Sequence, residues 1–189
     1  MRIISGKYKG HPLIPFKADH IRPTTDRVKE TLFNKLMFDI EGRTAVDLFA
    51  GTGNLGIEAL SRGARHVVFV EKHPKSIEIL RQNISKLKIP ATEYSVIRAD
   101  VLSYLKAYNE EPTDIILADP PFTEKMAHAV MEHASQSPLF GAQTLMTIES
   151  QSRERLDDLY GDIERYDRRE FGDKILSFSR KKKDKVGNE

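Results

Sequence analysis

From Gly42 onward the chain alternates two hydrophobic rhythms. Short, nearly continuous apolar runs mark buried strands at 44–49, 66–71, 93–99, 114–119 and 144–149. Between them, apolar residues recur every three or four positions. That spacing predicts helices at 54–62, 74–87 (Ile77, Leu80 and Ile84 on one face), 101–107 and 123–135, with a short one at 152–159. The end of the chain breaks the alternation. Segments 163–171 and 174–180 read as two strands joined by Phe171-Gly172-Asp173, and a link that short forces antiparallel pairing. Ahead of Gly42, residues 1–18 mix apolar and basic positions around Gly6, Gly10, Pro12 and Pro15, as expected of one or two short strands forming a flap. Arg22-Pro23-Thr24-Thr25 then offers a helix start, and Val28, Leu32, Phe33, Leu36 and Met37 carry the helical spacing to about Asp39.

This order predicts an α/β fold: an open, mostly parallel sheet of seven strands, one of them antiparallel, with helices on both faces and a small N-terminal β flap. The expected division is a β-hairpin flap at 1–20, one main domain at 21–180 and a disordered basic tail at 181–189. The 189 residues suffice for one well-buried domain. No stretch approaches the ~20 apolar residues of a membrane span. The first residues lack the apolar run of a signal peptide, so the expected compartment is the cytoplasm. Without cysteine there is no disulfide, thiolate zinc site or cysteine nucleophile, and the six histidines show no metal-ligand spacing. No metal is expected.

Charge changes the picture through its distribution rather than its sum. The net charge is +2, yet residues 1–30 carry seven Lys/Arg against three acids, and residues 178–189 five against two. Basic ends on an acidic body suggest a polyanion held by the protein's edges. The Lys-rich tail taken alone reads as a solvated end.

The most informative local stretch runs from Val46 to Gly56. Gly51, Gly53 and Gly56 satisfy G-x-G-x-x-G between a strand and a helix, and Glu71 lies twenty residues past Gly51. Taken alone this is a dinucleotide fingerprint, so an NAD-binding oxidoreductase or a non-catalytic nucleotide-binding module is one reading. Asp47 argues against it, because a carboxylate at that strand end would repel a pyrophosphate. S-adenosylmethionine has no phosphate, and its ammonium group can pair with such a carboxylate. Glu71 can accept from ribose hydroxyls, and Asp100, after the third strand, from the adenine amino group. Asp100 is equally placed to cap the helix that follows it.

Asp119-Pro120-Pro121-Phe122 closes the fourth strand. Its prolines cannot donate, which leaves carbonyls there as free acceptors. An exocyclic amine on a nucleobase is a poor nucleophile, since its lone pair is delocalised into the ring. Held between the Asp119 carboxylate and the Pro120 carbonyl, it would turn that lone pair toward a sulfonium methyl, while Phe122 stacks on the base. A turn after a strand is the bland alternative for the two prolines.

These motifs resemble those of the amino-methyltransferases that use S-adenosylmethionine and carry (Asp/Asn)-Pro-Pro-(Tyr/Phe). More narrowly, the segments 4–10, 22–30 and 171–174 are similar to the bacterial RsmD family, and the likeness runs from residue 2 to about 180. The resemblance implies a Rossmann-like class I methyltransferase fold. It implies transfer of a methyl group from S-adenosylmethionine to the N2 amino group of a guanine in 16S ribosomal RNA. Asp119, Pro120, Pro121 and Phe122 would present the base. Asp47, Phe49, Gly51, Gly53, Asn54, Glu71, Asp100 and Val101 would line the cofactor cleft. Lys7, Lys9, Arg22, Arg27, Lys181, Lys182 and Lys183 are the candidates for RNA contact. The expected partner is 16S rRNA or an assembling 30S subunit, met by a monomer with no membrane. An adenine-N6 methyltransferase acting on DNA or RNA stays open on the tetrapeptide alone.

Overall fold

The computed structural model describes residues 1–16, 26–36, 39–122 and 125–182. Its centre is one eight-stranded sheet in the order β3-β2-β1-β4-β5-β8-β7-β6. β1 (Thr44–Leu48), β2 (His66–Glu71), β3 (Tyr94–Arg98), β4 (Thr113–Ala118) and β5 (Phe140–Gln151) run parallel. Strands covered on both faces need apolar residues at successive positions, and Ala45-Val46 and Ile115-Ile116-Leu117-Ala118 supply them. β8 (Lys174–Lys181) inserts antiparallel between β5 and β7 (Ile163–Phe171). The Phe171–Lys174 hairpin makes this insertion possible. An additional two-residue strand, β6 (Leu159–Tyr160), caps the edge.

One face of the sheet packs on α1 (Asp26–Lys35), α2 (Asn54–Ser61) and α3 (Pro74–Lys86) through Leu32, Phe33, Ile57, Leu60, Phe69, Leu80 and Phe178. The other packs on α4 (Val101–Ala107) and α5 (Met126–Gln136) through Val46, Leu105, Ile116, Val130, Met131 and Met146. The strand order turns back between β1 and β4, which opens a crevice at the C-terminal ends of these strands. None of the described helices is long and apolar enough to cross a membrane.

Two expectations are corrected. The segment 152–159 is not a helix but a series of turns leading into β6. Glu154 is drawn off to accept from the His128 amide at the start of α5 (2.9 Å), and the Tyr160 hydroxyl takes the Asp157 amide (3.1 Å). Lys181 belongs to β8, opposite Ile163, rather than to a tail. Residues 183–189, and with them the expected disordered tail, lie outside the described residues.

The N-terminal segment makes a single bridge, Arg2 to Pro12, and lies against the helices. Glu58 of α2, fully buried, accepts from the amides of Ile4 (2.9 Å) and Ser5 (3.0 Å). The Lys29 ammonium, equally buried, pairs with Glu58 at 3.0 Å and donates to the Arg2 carbonyl at 2.6 Å. Gly6 passes so close to α2 that a Cβ there would stand 1.7 Å from the Ser61 carbonyl oxygen. Only glycine fits, so this part of the chain is fastened by backbone contacts rather than by side-chain packing alone.

Candidate active site

Asp47, one residue before the end of β1, is a buried acid whose Oδ2 accepts from the Gly56 amide at 2.7 Å. That approach requires glycine, since a Cβ at residue 56 would lie 2.2 Å from the Phe69 ring and 2.9 Å from Asp47 Oδ2. Glu71, at the end of β2, fastens the loop to its neighbour. Its Oε2 accepts from Gly51 N and its Oε1 from His73 N, both at 2.8 Å. Phe49 takes a left-handed backbone (φ 62°) as the chain leaves β1, and Gly53 takes another (φ 90°) where α2 starts. The Asn54 side chain accepts from Lys29 at 3.1 Å, linking the loop to α1. Asp100, past the end of β3, does cap α4, accepting from Leu102 N (3.1 Å) and Ser103 N (3.2 Å), with Lys72 at 3.7 Å. Val101 is buried behind it.

Acids therefore converge at the crevice. Burial pushes the Asp47 carboxyl up to about 8; the Gly56 hydrogen bond opposes the rise, and the charges of Asp119 and Glu71 add to it. A cation arriving at the C-terminal ends of these adjacent strands would draw the proton off and find a buried counter-charge, which a phosphate would not. The donor set thus fits a ligand with an ammonium group and ribose hydroxyls. Carboxylates offer about four lone-pair sites each, so Glu71 keeps capacity beyond its two backbone donors. Among the described residues there is no cluster of histidine and acid side chains fit to hold a metal ion.

The tetrapeptide follows β4, next to β1. Pro120 is buried, whereas the Phe122 ring is 39% exposed at the rim. Beneath that ring lies a pair of residues that the sequence reading missed. The Lys174 ammonium stands 4.9 Å from the ring centroid and forms a buried ion pair with Glu149 of β5. Burial and then the Asp119 charge push the Glu149 carboxyl up to about 7, against the pull of Lys174. Two signals pointed there: a charged residue ending the apolar run of a central strand, and a lysine just after the hairpin turn.

The candidate RNA contacts do not gather at one place. Arg27 lies on the crevice side, its guanidinium 5.9 Å from the Phe171 ring at the end of β7. Lys7 sits at the far end of the sheet, paired with Glu93 (2.7 Å) just before β3 and bonded through its amide to Ser61 at the end of α2. Lys9 is exposed in the same turn. Lys181 pairs with Asp162 (2.8 Å) and, with Lys182, lies at the opposite end of β8 from Lys174, about 23 Å along the strand at ~3.3 Å per residue. Arg22 and Lys183 lie outside the described residues.

The chain is similar to known proteins along nearly its whole length. The family described as conserved hypothetical protein 95 matches residues 1–180. The ribosomal RNA small subunit methyltransferase D of Haemophilus influenzae is 36% identical over 152 residues, 80% of this chain and 79% of the relative. The protein of the same name from Escherichia coli is 34% identical over 151 residues, 80% and 75% of the two chains. Among solved structures, the yhhF protein of Escherichia coli superposes with a TM-score of 0.85 at 30% identity, covering 96% of this chain and 98% of that one.

Proposed function

Because this chain belongs to the conserved hypothetical protein 95 family, the RsmD family of ribosomal RNA methyltransferases, we propose that it methylates the N2 amino group of a guanine in 16S rRNA, using S-adenosylmethionine. One observation carries the chemistry: the buried Asp47 carboxyl of β1 stands beside Asp119-Pro120-Pro121-Phe122, which follows the neighbouring β4.

S-adenosylmethionine, when bound, supplies a methyl group made electrophilic by its sulfonium. Asp47, giving up its proton as the ligand binds, is the counter-charge for the ammonium of the amino-acid end, and its bond to Gly56 fixes the carboxyl group beforehand. Glu71 accepts from ribose hydroxyls while holding the loop through Gly51. Asp100, steadied by its capping bonds, accepts from the adenine amine. Asp119 and the Pro120 carbonyl take the two hydrogens of the target amine and orient its lone pair. Phe122 stacks on the base and sets its plane. As the target amine forms its new N–C bond, the methyl–sulfur bond breaks and its electron pair leaves with the neutral thioether. One amine proton passes to Asp119 and on to water. The rate comes from positioning.

Arg27 is the proposed phosphate contact beside the crevice. Lys7, Lys9, Lys181 and Lys182 join it only with an RNA that spans the sheet. The proposed setting is a cytoplasmic monomer acting on 16S rRNA or the assembling 30S subunit. Mass spectrometry of rRNA from a strain lacking the gene is the test. Loss of one N2-methylguanosine from 16S rRNA, restored by the wild-type gene, is the expected result; an unchanged 16S pattern, or loss of a methyladenosine instead, refutes it.

A further inference from the structure

A cleft of about 840 Å³ lies between α3 and the edge strand β3. Successive turns of α3 present one helix face to it, from Pro74 through Ile77 and Arg81 to Ser85. Buried Ile77 and half-buried Val96 supply apolar surface. Among the described residues lining it, Arg81, Lys86 and Arg98 stand exposed with one acid, Glu78. Like charges gathered in one groove repel each other and focus the field on an ion of opposite sign. Elsewhere in the fold acids answer such cations: Arg62, Arg165 and Arg180 are each ion-paired. Arg81 and Arg98 have no ion pair among the described residues. Glu71, level with Arg98 in register, is taken up by the Gly51 and His73 amides. Lys86 donates to the Pro12 carbonyl at 3.4 Å, which brings it no counter-charge.

The cleft connects two regions that are otherwise far apart. Arg98 ends β3 beside the crevice, one strand over from Glu71. Lys86 ends α3 at the far end of the sheet, where Lys7 pairs with Glu93 just before β3 and Lys9 is exposed. The 13 residues of α3 span about 20 Å at ~1.5 Å per residue, a length that matches about six stacked nucleotides at ~3.4 Å each. Resting on the ribosomal RNA reading given above, we propose that this cleft holds the sugar–phosphate backbone of the substrate RNA away from the target base. Arg98 takes a phosphate close to the crevice, Arg81 and Lys86 take phosphates farther along, and Lys7 and Lys9 extend the line. Such contacts set register and orientation without reading sequence. One RNA thereby engages both the tetrapeptide and the distant N-terminal lysines, with α3 guiding the strand between them.

The chain has no cysteine, so Ser85→Cys places a single thiol in the cleft for a photo-crosslinker. Irradiation with 30S particles is expected to join it to 16S rRNA. Crosslinks to ribosomal protein alone, or none, overturn the proposal. Salt-dependent binding to 16S rRNA supplies the second measurement. The triple variant Arg81→Gln, Lys86→Gln, Arg98→Gln is expected to lower the slope of log affinity against log salt by about two units or more, at roughly 0.7–0.9 for each phosphate. Glu78→Gln removes the acid and is expected to tighten binding at low salt by roughly two- to fivefold.

Melting temperature and S-adenosylhomocysteine affinity are expected to match the wild type in these variants. A folded triple variant that keeps the wild-type salt slope overturns the proposal. So does one that loses S-adenosylhomocysteine, because the cleft would then belong to the cofactor site. Where the triple variant fails to fold, the crosslink and the slopes of the three single variants decide the matter. A wild-type protein that transfers no methyl group to rRNA refutes the reading of the site; an active wild type whose slope the cleft variants leave unchanged refutes only the role given to the cleft.

Discussion

In the proposed site, Asp47 makes cofactor binding pH-sensitive in a defined direction. Its carboxyl, pushed by burial to about 8 from an ordinary value of 3.8, is largely protonated near neutrality in the ligand-free protein. The ionised form is the one that receives the ammonium group, so binding must expel the proton. S-adenosylhomocysteine carries the same ammonium and is the convenient probe. Its dissociation constant is expected to rise as pH falls below 8, approaching tenfold per unit. Between pH 8 and pH 6 affinity should drop about fiftyfold, or about 2.3 kcal/mol. Calorimetry at pH 7 in buffers of different ionisation enthalpy should register about 0.9 proton released per ligand bound.

Asp47→Asn keeps an oxygen for the Gly56 amide and abolishes both effects. The same substitution has a consequence for folding. A carboxyl whose folded value is raised gives stability that is full below its unfolded value near 3.8 and is lost as pH rises through about 8. The ligand-free wild type therefore loses stability across that window, with a ceiling of about 6 kcal/mol at ~1.4 kcal/mol per pH unit, and Asp47→Asn should be the more stable protein at pH 8. Affinity independent of pH from 6 to 8 in the wild type, with no proton released, would refute the reasoning.

Glu71→Ala loses the proposed ribose acceptor and the tether on Gly51, and calorimetry should find S-adenosylhomocysteine bound more weakly by ~1.5–3 kcal/mol or more. Arg27→Ala should lower the slope of log affinity for rRNA against log salt by roughly 0.7–0.9, one phosphate contact. Because Lys7 and Lys9 lie at the far end of the sheet, their double alanine variant should lower that slope with 30S particles but not with a hairpin fragment. Glu58→Gln strands the buried Lys29 charge beneath the N-terminal segment, and urea unfolding should show a loss of about 3–5 kcal/mol.

Much of this was legible in the chain because the signals are local. Apolar runs such as 115–118 fix central strands, a glycine loop needs only its own backbone, and two prolines need only each other. The segment 152–159 misled because Leu156 and Leu159 sit at helical spacing, while Glu154 is spent on the His128 amide of α5 and the Asp157 amide on the Tyr160 hydroxyl just past the segment. Distance in sequence also hid the charged pairs. Lys29 and Glu58 lie on two different helices, and only packing buries them together. Glu149 and Lys174 lie 25 residues apart, and only the register of β8 on β5 brings them under Phe122. The segments resembling the RsmD family at 4–10 and 22–30 proved to include structural fastenings, Gly6 against Ser61 and Lys29 against Glu58.

The central claim is that Asp119 presents an exocyclic amine to the methyl donor. Its most direct test is single-turnover methyl transfer by Asp119→Ala on 16S rRNA or 30S particles, at saturating S-adenosylmethionine. The account predicts a chemical step slower by on the order of a hundredfold or more, with S-adenosylhomocysteine still bound and the melting transition retained. An Asp119→Ala protein that transferred methyl groups at the wild-type rate would reduce the tetrapeptide to a turn and contradict the assignment.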